Sequence, residues 1–267
     1  MNIYIINLAT AHDRAAFQEK QFLKLGLNFE TVNAVTIADV SESYYKGVAF
    51  DWERPLSRAE VSCYLSHQSL WLRIISEDTP ALILEDDAYV CDDLPELLTE
   101  IASFSSNDEK TDYINLETRC RKKIVSKEIA GEFLGYKLRR LYYGGTGAAA
   151  YILWPDGARK LLAMELKFGF ALADAHLCRT KMNNSLQMDG APVIQLDCCD
   201  HYAMASPHKT TSTIINTRHQ VEMIKPPKTN FKFRRLAAQF KLGLIQLKIV
   251  FGRVTRKEIM PANKRFS

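Results

Sequence analysis

The sequence predicts an α/β domain with a mixed, mostly parallel central sheet flanked by helices, followed by a basic helical tail. Three observations carry this. Residues 2–34 run as a short β-branched stretch, a helical pattern and a second short stretch, the β-α-β order of a sheet with covering helices. Short apolar runs then recur between helical patterns as far as "APVIQL" at 191–196, as buried strands do. Charge is also divided. Lys225 to Ser267 holds twelve Lys/Arg against one acid, Glu258, whereas the preceding 224 residues sum to −7. The domain is therefore drawn at 1–224 and the basic amphipathic tail at 225–267.

In chain order, "NIYIINL" reads as a buried strand. "AHDRAAFQEKQFLKLGL" has helical spacing through Phe17, Phe22 and Leu25, with Gly26 as the stop. "NFETVNAV" is the second strand, and 39–56 is irregular. Ser57 and Glu60 form a capping box. The helix they start carries Val61, Leu65, Leu72 and Ile75 and ends near Glu77-Asp78, ahead of Pro80. Ala81–Leu84 is a strand, "LPELLTEIASF" a helix, "DYINLE" and "AAAYILW" strands, "DGARKLLAMEL" a helix. A further helix begins near Leu172, and "APVIQL" is the last strand. No internal repeat or low-complexity segment interrupts the pattern.

The composition is that of a globular protein, 47% hydrophobic and 25% charged, so disorder is not expected. The six cysteines form no Cys-x-x-Cys pair, which argues against a zinc knuckle. Cys63 reads as a small core residue, and the Cys198-Cys199 pair as reduced thiols rather than a vicinal disulfide. The N-terminus lacks a basic region and a long apolar run, and no apolar stretch reaches 18 residues. A cytoplasmic compartment is the expectation.

The chemistry concentrates where the strand 81–84 runs into Glu85-Asp86-Asp87. Adjacent carboxylates repel one another, and burial makes this worse. In open α/β sheets ligands bind beyond the carboxyl ends of strands, and hard divalent cations take carboxylate oxygens. In extended chain Glu85 and Asp87 face one side and Asp86 the other. Glu85 and Asp87 can thus hold one Mn2+ or Mg2+, which would in turn hold a diphosphate. A solvated acidic turn is the alternative reading.

The stretch "SRAEVSCYLSHQSLWLRIISEDTPALILEDDAYV" resembles the signature of the family 25 glycosyltransferases through Glu60, Cys63, Ser66, His67, Trp71, Glu85, Asp86 and Asp87. "IYIINLATAHDR", with Asn7, Leu8 and Arg14, and "GGTGAAAYILWPDGARKLL" resemble further parts of that family, and the likeness covers roughly 1–215. The resemblance implies a GT-A-like fold, a UDP-sugar donor (commonly UDP-galactose), a divalent metal, and inversion at the anomeric carbon. For bacterial members it implies a lipooligosaccharide acceptor.

Under that resemblance Glu85 and Asp87 are metal ligands. Glu85 also belongs to the donor site, and Asp86 faces the nucleotide or supports the loop. Asn7 would meet the base or ribose. Arg14 is either a fork for phosphate or a solvated first-turn residue. Ser66 and His67 would contact the donor or support the site. An inverting transfer needs a base. Asp174, at a helix start, is the expected one, although an acid there is also favourable for the helix dipole alone. His201 is preferred over His208 as a late third metal ligand. Gly144-Gly145-Thr146-Gly147 lacks the Lys-Ser/Thr of a P-loop and reads as small residues that let a sugar approach the backbone.

In the tail, Leu236, Phe240, Leu244, Leu247 and Phe251 share a helical face, with Arg234, Lys241 and Lys248 opposite. A helix lying on the anionic inner membrane is the expected partner mode, ahead of a docked helix; no motif supports nucleic acid. The expected activity is hexose transfer from a UDP-sugar to the lipooligosaccharide outer core. A metal-dependent phosphohydrolase and a non-catalytic carbohydrate-binding relative are the alternatives.

Overall fold

The computed structural model describes residues 1–103, 111–144, 147–179, 184–208 and 252–267, with Leu236, Gln239, Phe240 and Gly243. The strands are β1 (Asn2–Asn7), β2 (Glu30–Asn33), β3 (Ala81–Glu85), β4 (Ala88–Val90), β5 (Tyr113–Asn115), β6 (Glu117–Thr118), β7 (Lys122–Ser126), β8 (Gly131–Phe133), β9 (Tyr136–Tyr143), β10 (Ala150–Leu153), β11 (Ser185–Asp189), β12 (Val193–Gln195) and β13 (Val254–Glu258). The helices are α1 (His12–Leu25), α2 (Glu42–Val48), α3 (Arg58–Glu77), α4 (Leu94–Ser103), α5 (Pro155–Phe168) and α6 (Ala173–Arg179).

Among the described residues the main sheet runs β13-β7-β9-β11-β5-β10-β3-β1-β2, with β8 beside β9. It is mixed rather than mostly parallel. Only β1–β2, β1–β3 and β5–β11 pair in parallel; the other pairings are antiparallel. The two-residue turn at Leu134-Gly135 makes β8 and β9 antiparallel neighbours, and β10 runs antiparallel between β3 and β5. A second, small sheet runs β4-β12-β6.

Strand alternation builds a core on each face. Tyr4, Ile6, Ile83, Tyr113 and Tyr151 pack with Tyr45 of α2, Tyr64 and Trp71 of α3, and Leu161 of α5. Ile3, Ile5, Leu82, Leu84 and Ile152 pack with Phe22 of α1 and Leu94, Leu97 and Ile101 of α4. Each such side chain stabilises the fold by roughly 1.5–3 kcal/mol through burial. Helix boundaries follow local chemistry. Gly26 takes φ 64 at the end of α1, as a left-handed cap does. Ser57 and Glu60 close the capping box on α3 in both directions, at 3.2 and 2.9 Å.

Two expectations change. The buried residues of α3 include Val61, Tyr64, His67, Leu70, Trp71 and Ile74, and Leu65 and Ile75 pack against the same core; of the expected apolar positions Leu72 alone faces out, 53% exposed. The chain end is not a helical tail either. β13 pairs antiparallel with β7, Ile259 is buried, and Arg265 forms an ion pair with Asp93. Residues 252–267 therefore belong to the domain: β13 pairs along its whole length with β7, and Val254 and Ile259 are buried. Leu236, Gln239, Phe240 and Gly243 are helical and exposed; the rest of 225–251 lies outside the described residues. No described helix is long and apolar enough to cross a membrane.

Candidate active site at the strand ends

Parallel pairing sets Ile6 of β1 opposite Glu85 of β3, so Asn7 and the three carboxylates leave the sheet at the same edge. The turn at Asp86-Asp87, between β3 and β4, then sorts them. Asp86 turns to one side, where Asn7 Nδ2 donates to Oδ2 at 2.8 Å and Arg14 Nη1 meets Oδ1 at 2.8 Å. Gln18 Nε2 of α1 donates to the Asp86 and Ala88 carbonyls at 3.0 and 2.8 Å, pinning the turn. Glu85 and Asp87 turn to the other side and share one partner. Gln195 Nε2 lies 3.3 Å from Glu85 Oε2 and 3.2 Å from each Asp87 carboxylate oxygen. The small sheet delivers it: Gln195 pairs with Ala88, and Leu196 N–H donates to Asp87 O at 3.0 Å.

His67 of α3 reaches the same place. Trp71 Nε1–H donates to Tyr151 Oη at 2.9 Å, and Tyr151 Oη lies 2.9 Å from His67 Nδ1. With Trp71 as donor, the tyrosine proton goes to Nδ1. Nε2 then carries the imidazole hydrogen and donates to Glu85 Oε1 at 3.2 Å. Ligand atoms of Cys63, His67 and Glu85 lie within 4.8 Å of one another. In this arrangement His67 holds Glu85 in place.

The cluster has a surplus of negative charge. Burial, then the Glu85 and Asp86 charges, push Asp87 up to about 7. Burial and Glu85 push Asp86 up to about 6 against the pull of Arg14. Burial also acts against the Glu85 charge, but the His67 hydrogen bond and the nearby cations outweigh it and hold the carboxyl below its usual range. Two carboxylates that face each other across an amide, one of them reluctant to ionise, fit a divalent cation.

Asp174, in the first turn of α6, accepts Gly147 N–H at 3.3 Å and Ala175 N–H at 2.6 Å. Burial and the Glu85 charge raise its carboxyl; the two N–H donors and Arg119 oppose this. Gly147 has φ +98, and a Cβ there would collide with the Glu117 carboxylate, so only glycine fits. Glu117, the first residue of β6, accepts Ala149 N–H at 3.0 Å through Oε1, while its buried Oε2 has no hydrogen-bond partner among the described residues. Burial is the main cause that pushes it up to about 8. Behind it the fully buried Lys123 Nζ spans Asn115 Oδ1, Glu117 O and Gln187 Oε1 at 3.2, 3.1 and 2.6 Å. Arg119 lies 3.2 Å from Asp197 and near enough to Glu117 and Glu85 to feel both charges.

Residues 1–176 match the profile of "Glycosyltransferase family 25 (LPS biosynthesis protein)". This chain is a member of glycosyltransferase family 25. It is 25% identical over 195 residues to the lipooligosaccharide biosynthesis protein lic2B of Haemophilus influenzae, covering 70% of this chain and 67% of that protein. It is 25% identical over 262 residues to the lacto-N-neotetraose biosynthesis glycosyltransferase LgtB of Neisseria meningitidis serogroup B, covering 91% and 94%. Human procollagen galactosyltransferase 2 is 28% identical over 95 residues, 32% of this chain and 15% of that one.

Within this family 25 chain the structure brings together Asn7, Arg14, His67, Glu85, Asp86, Asp87 and Asp174. It does not bring in His201, whose exposed Nε2 turns to Glu258 Oε1 at 3.0 Å. β13 supplies that acid. His208 stacks on Phe17 and meets Asp13 at 3.3 Å. Ser66 is structural: its hydroxyl accepts Val35 N–H and donates to Ser62 O, both at 2.9 Å. Asn7 and Arg14 both hold Asp86. Sequence reasoning missed Gln195, Glu117 and Arg119, which carry no motif, and placed Cys63 in the core. Burial pushes that thiol up, helped by the charges of Glu85 and Asp174. The described cysteines, Cys63, Cys91, Cys120, Cys198 and Cys199, are free.

Proposed function

We propose that this family 25 chain is an inverting, metal-dependent transferase with a GT-A-like arrangement. It moves a hexose, galactose being the expected sugar, from a UDP-sugar to a lipooligosaccharide outer-core acceptor. The observation that carries the reading is the pair Glu85 and Asp87 on one buried amide at parallel strand ends, within the field of Asp174. The names of lic2B and LgtB support the acceptor class, and that of the human relative supports galactose.

Glu85 and Asp87 would hold Mn2+ or Mg2+, which when bound supplies the Lewis acid that neutralises the departing diphosphate. His67 fixes the rotamer of Glu85. Asn7 and Arg14 keep Asp86 out of the way and brace the turn. Arg119 offers a guanidinium beside the carboxylates for a diphosphate oxygen. Asp174 takes the proton of the acceptor hydroxyl as that oxygen attacks the anomeric carbon from the face opposite the diphosphate. Its raised affinity for a proton makes it a stronger base once ionised. The Gly147 backbone positions it.

Membrane contact through 225–251, on the cytoplasmic face, is part of the same reading. The exposed Leu236 and Phe240, four residues apart, support it.

Calorimetric titration with UDP-galactose, UDP-glucose and GDP-mannose tests the donor site, first with manganese and then with chelator. Manganese-dependent binding of one UDP-sugar is expected. Folded protein that binds none of them sinks the reading; release of free phosphate without an acceptor would instead mark a phosphohydrolase.

A further inference from the structure

The geometry points to Gln195 as the third protein ligand of the divalent cation, the place that a late histidine was expected to fill. This rests on the metal-dependent reading above. It concerns a residue that the reading does not need.

Gln195 is only 2% exposed. Its amide nitrogen is within 3.2–3.3 Å of three oxygens on Glu85 and Asp87. A group touching both carboxylates at once stands where a cation bridging them would stand. The –NH2 is the only half of the amide that can do so without a metal, because it donates and carboxylates accept. Its other half, Oε1, is buried and has no hydrogen-bond partner among the described residues, and an unsatisfied buried acceptor costs about 1–3 kcal/mol. Half a turn of the terminal amide exchanges the two atoms. Oε1 would then face the carboxylates and no existing bond to Oε1 would be lost. A neutral amide oxygen beside two carboxylates is an ordinary donor set for a hard cation.

The backbone fixes the position. Gln195 is the last residue of β12, locked to β4 opposite Ala88, and the next residue donates its N–H to Asp87 O. The Asp87 main chain and the Gln195 side chain therefore move as one unit. By contrast, His201 is tied to Glu258.

The test is calorimetric titration of the full chain with Mn2+ alone, on wild type, Gln195→Met and Gln195→Glu, with thermal unfolding to show that each is folded. The methionine keeps length and shape but has no oxygen. The glutamate restores an oxygen but cannot donate to the carboxylates. Gln195→Met should weaken Mn2+ binding tenfold or more. Gln195→Glu should bind at least as tightly as wild type and gain more thermal stability from Mn2+. Unchanged affinity in Gln195→Met overturns the ligand role while the metal-dependent reading stands. Loss in both variants assigns Gln195 to spacing the carboxylates and also overturns it. Absence of Mn2+ binding in wild type removes the metal-dependent reading itself.

Discussion

Glu117 is a carboxyl in a place that resists charge. With its folded-state affinity for protons raised to about 8, it stays neutral in the fold at pH values where the unfolded chain has released its proton. The folded state therefore holds more protons, and stability falls as pH rises from the ordinary glutamate range to about 8. Glu117→Gln keeps an acceptor for Ala149 N–H and removes the penalty. The variant should match wild type near pH 4 and become more stable than it, on the order of a few kcal/mol, by pH 8; urea titrations across that range check this. A gap that shrinks with pH would contradict it. For Asp174, the expected result of Asp174→Asn is loss of turnover by about 100-fold or more with UDP-sugar binding unchanged. Equal loss of binding would mean that the residue serves the donor rather than the proton.

At the scale of elements, α3 ties cap, core and site together. Its capping box should be worth about 1 kcal/mol, read as the stability lost in Ser57→Ala. Its hydrogen-bond chain should be worth more. Tyr151→Phe leaves Trp71 Nε1 and His67 Nδ1 buried without their partner, a cost of roughly 1–3 kcal/mol each in principle. It also frees His67 from the tautomer that holds Glu85. Denaturation should show the first effect and weaker Mn2+ binding the second; an effect on stability alone would leave His67 a packing residue. Much of this element was legible. The Ser-x-x-Glu pair marks its start, and the Glu-Asp-Asp run marks the end of β3, where the structure has a turn at Asp86-Asp87 rather than the extended chain expected. What was not legible depends on pairing over long separations. Gln195 reaches Asp87 only because β12 docks on β4, and an amide leaves no charge signal in a sequence. Glu117 becomes unusual only once Gly147 closes over it. His201 was chosen for its residue type, and β13 gave it another partner. The meander 122–143 escaped because its strands are partly exposed and charged, as Lys137, Arg139 and Arg140 show.

For the whole molecule, residues 252–267 of the basic C-terminal stretch belong to the domain, with β13 on the edge of the sheet. Deleting 252–267 removes β13 and the Arg265–Asp93 pair, and should lower the unfolding temperature or prevent soluble expression. A truncation with unchanged stability would restore the picture of an independent tail. Co-sedimentation with anionic and neutral vesicles tests the rest: binding to the anionic ones that weakens with salt is expected, and equal binding to both would remove the electrostatic part.

The two places where the chain leaves and rejoins the described domain matter here. His208 is stacked on Phe17 beside the start of α1, and Gly252 leads straight into β13 at the sheet edge. The residues on both sides of 209–251 are thus held by one domain, so the distance between those two points is set by the fold and not by the length of chain between them.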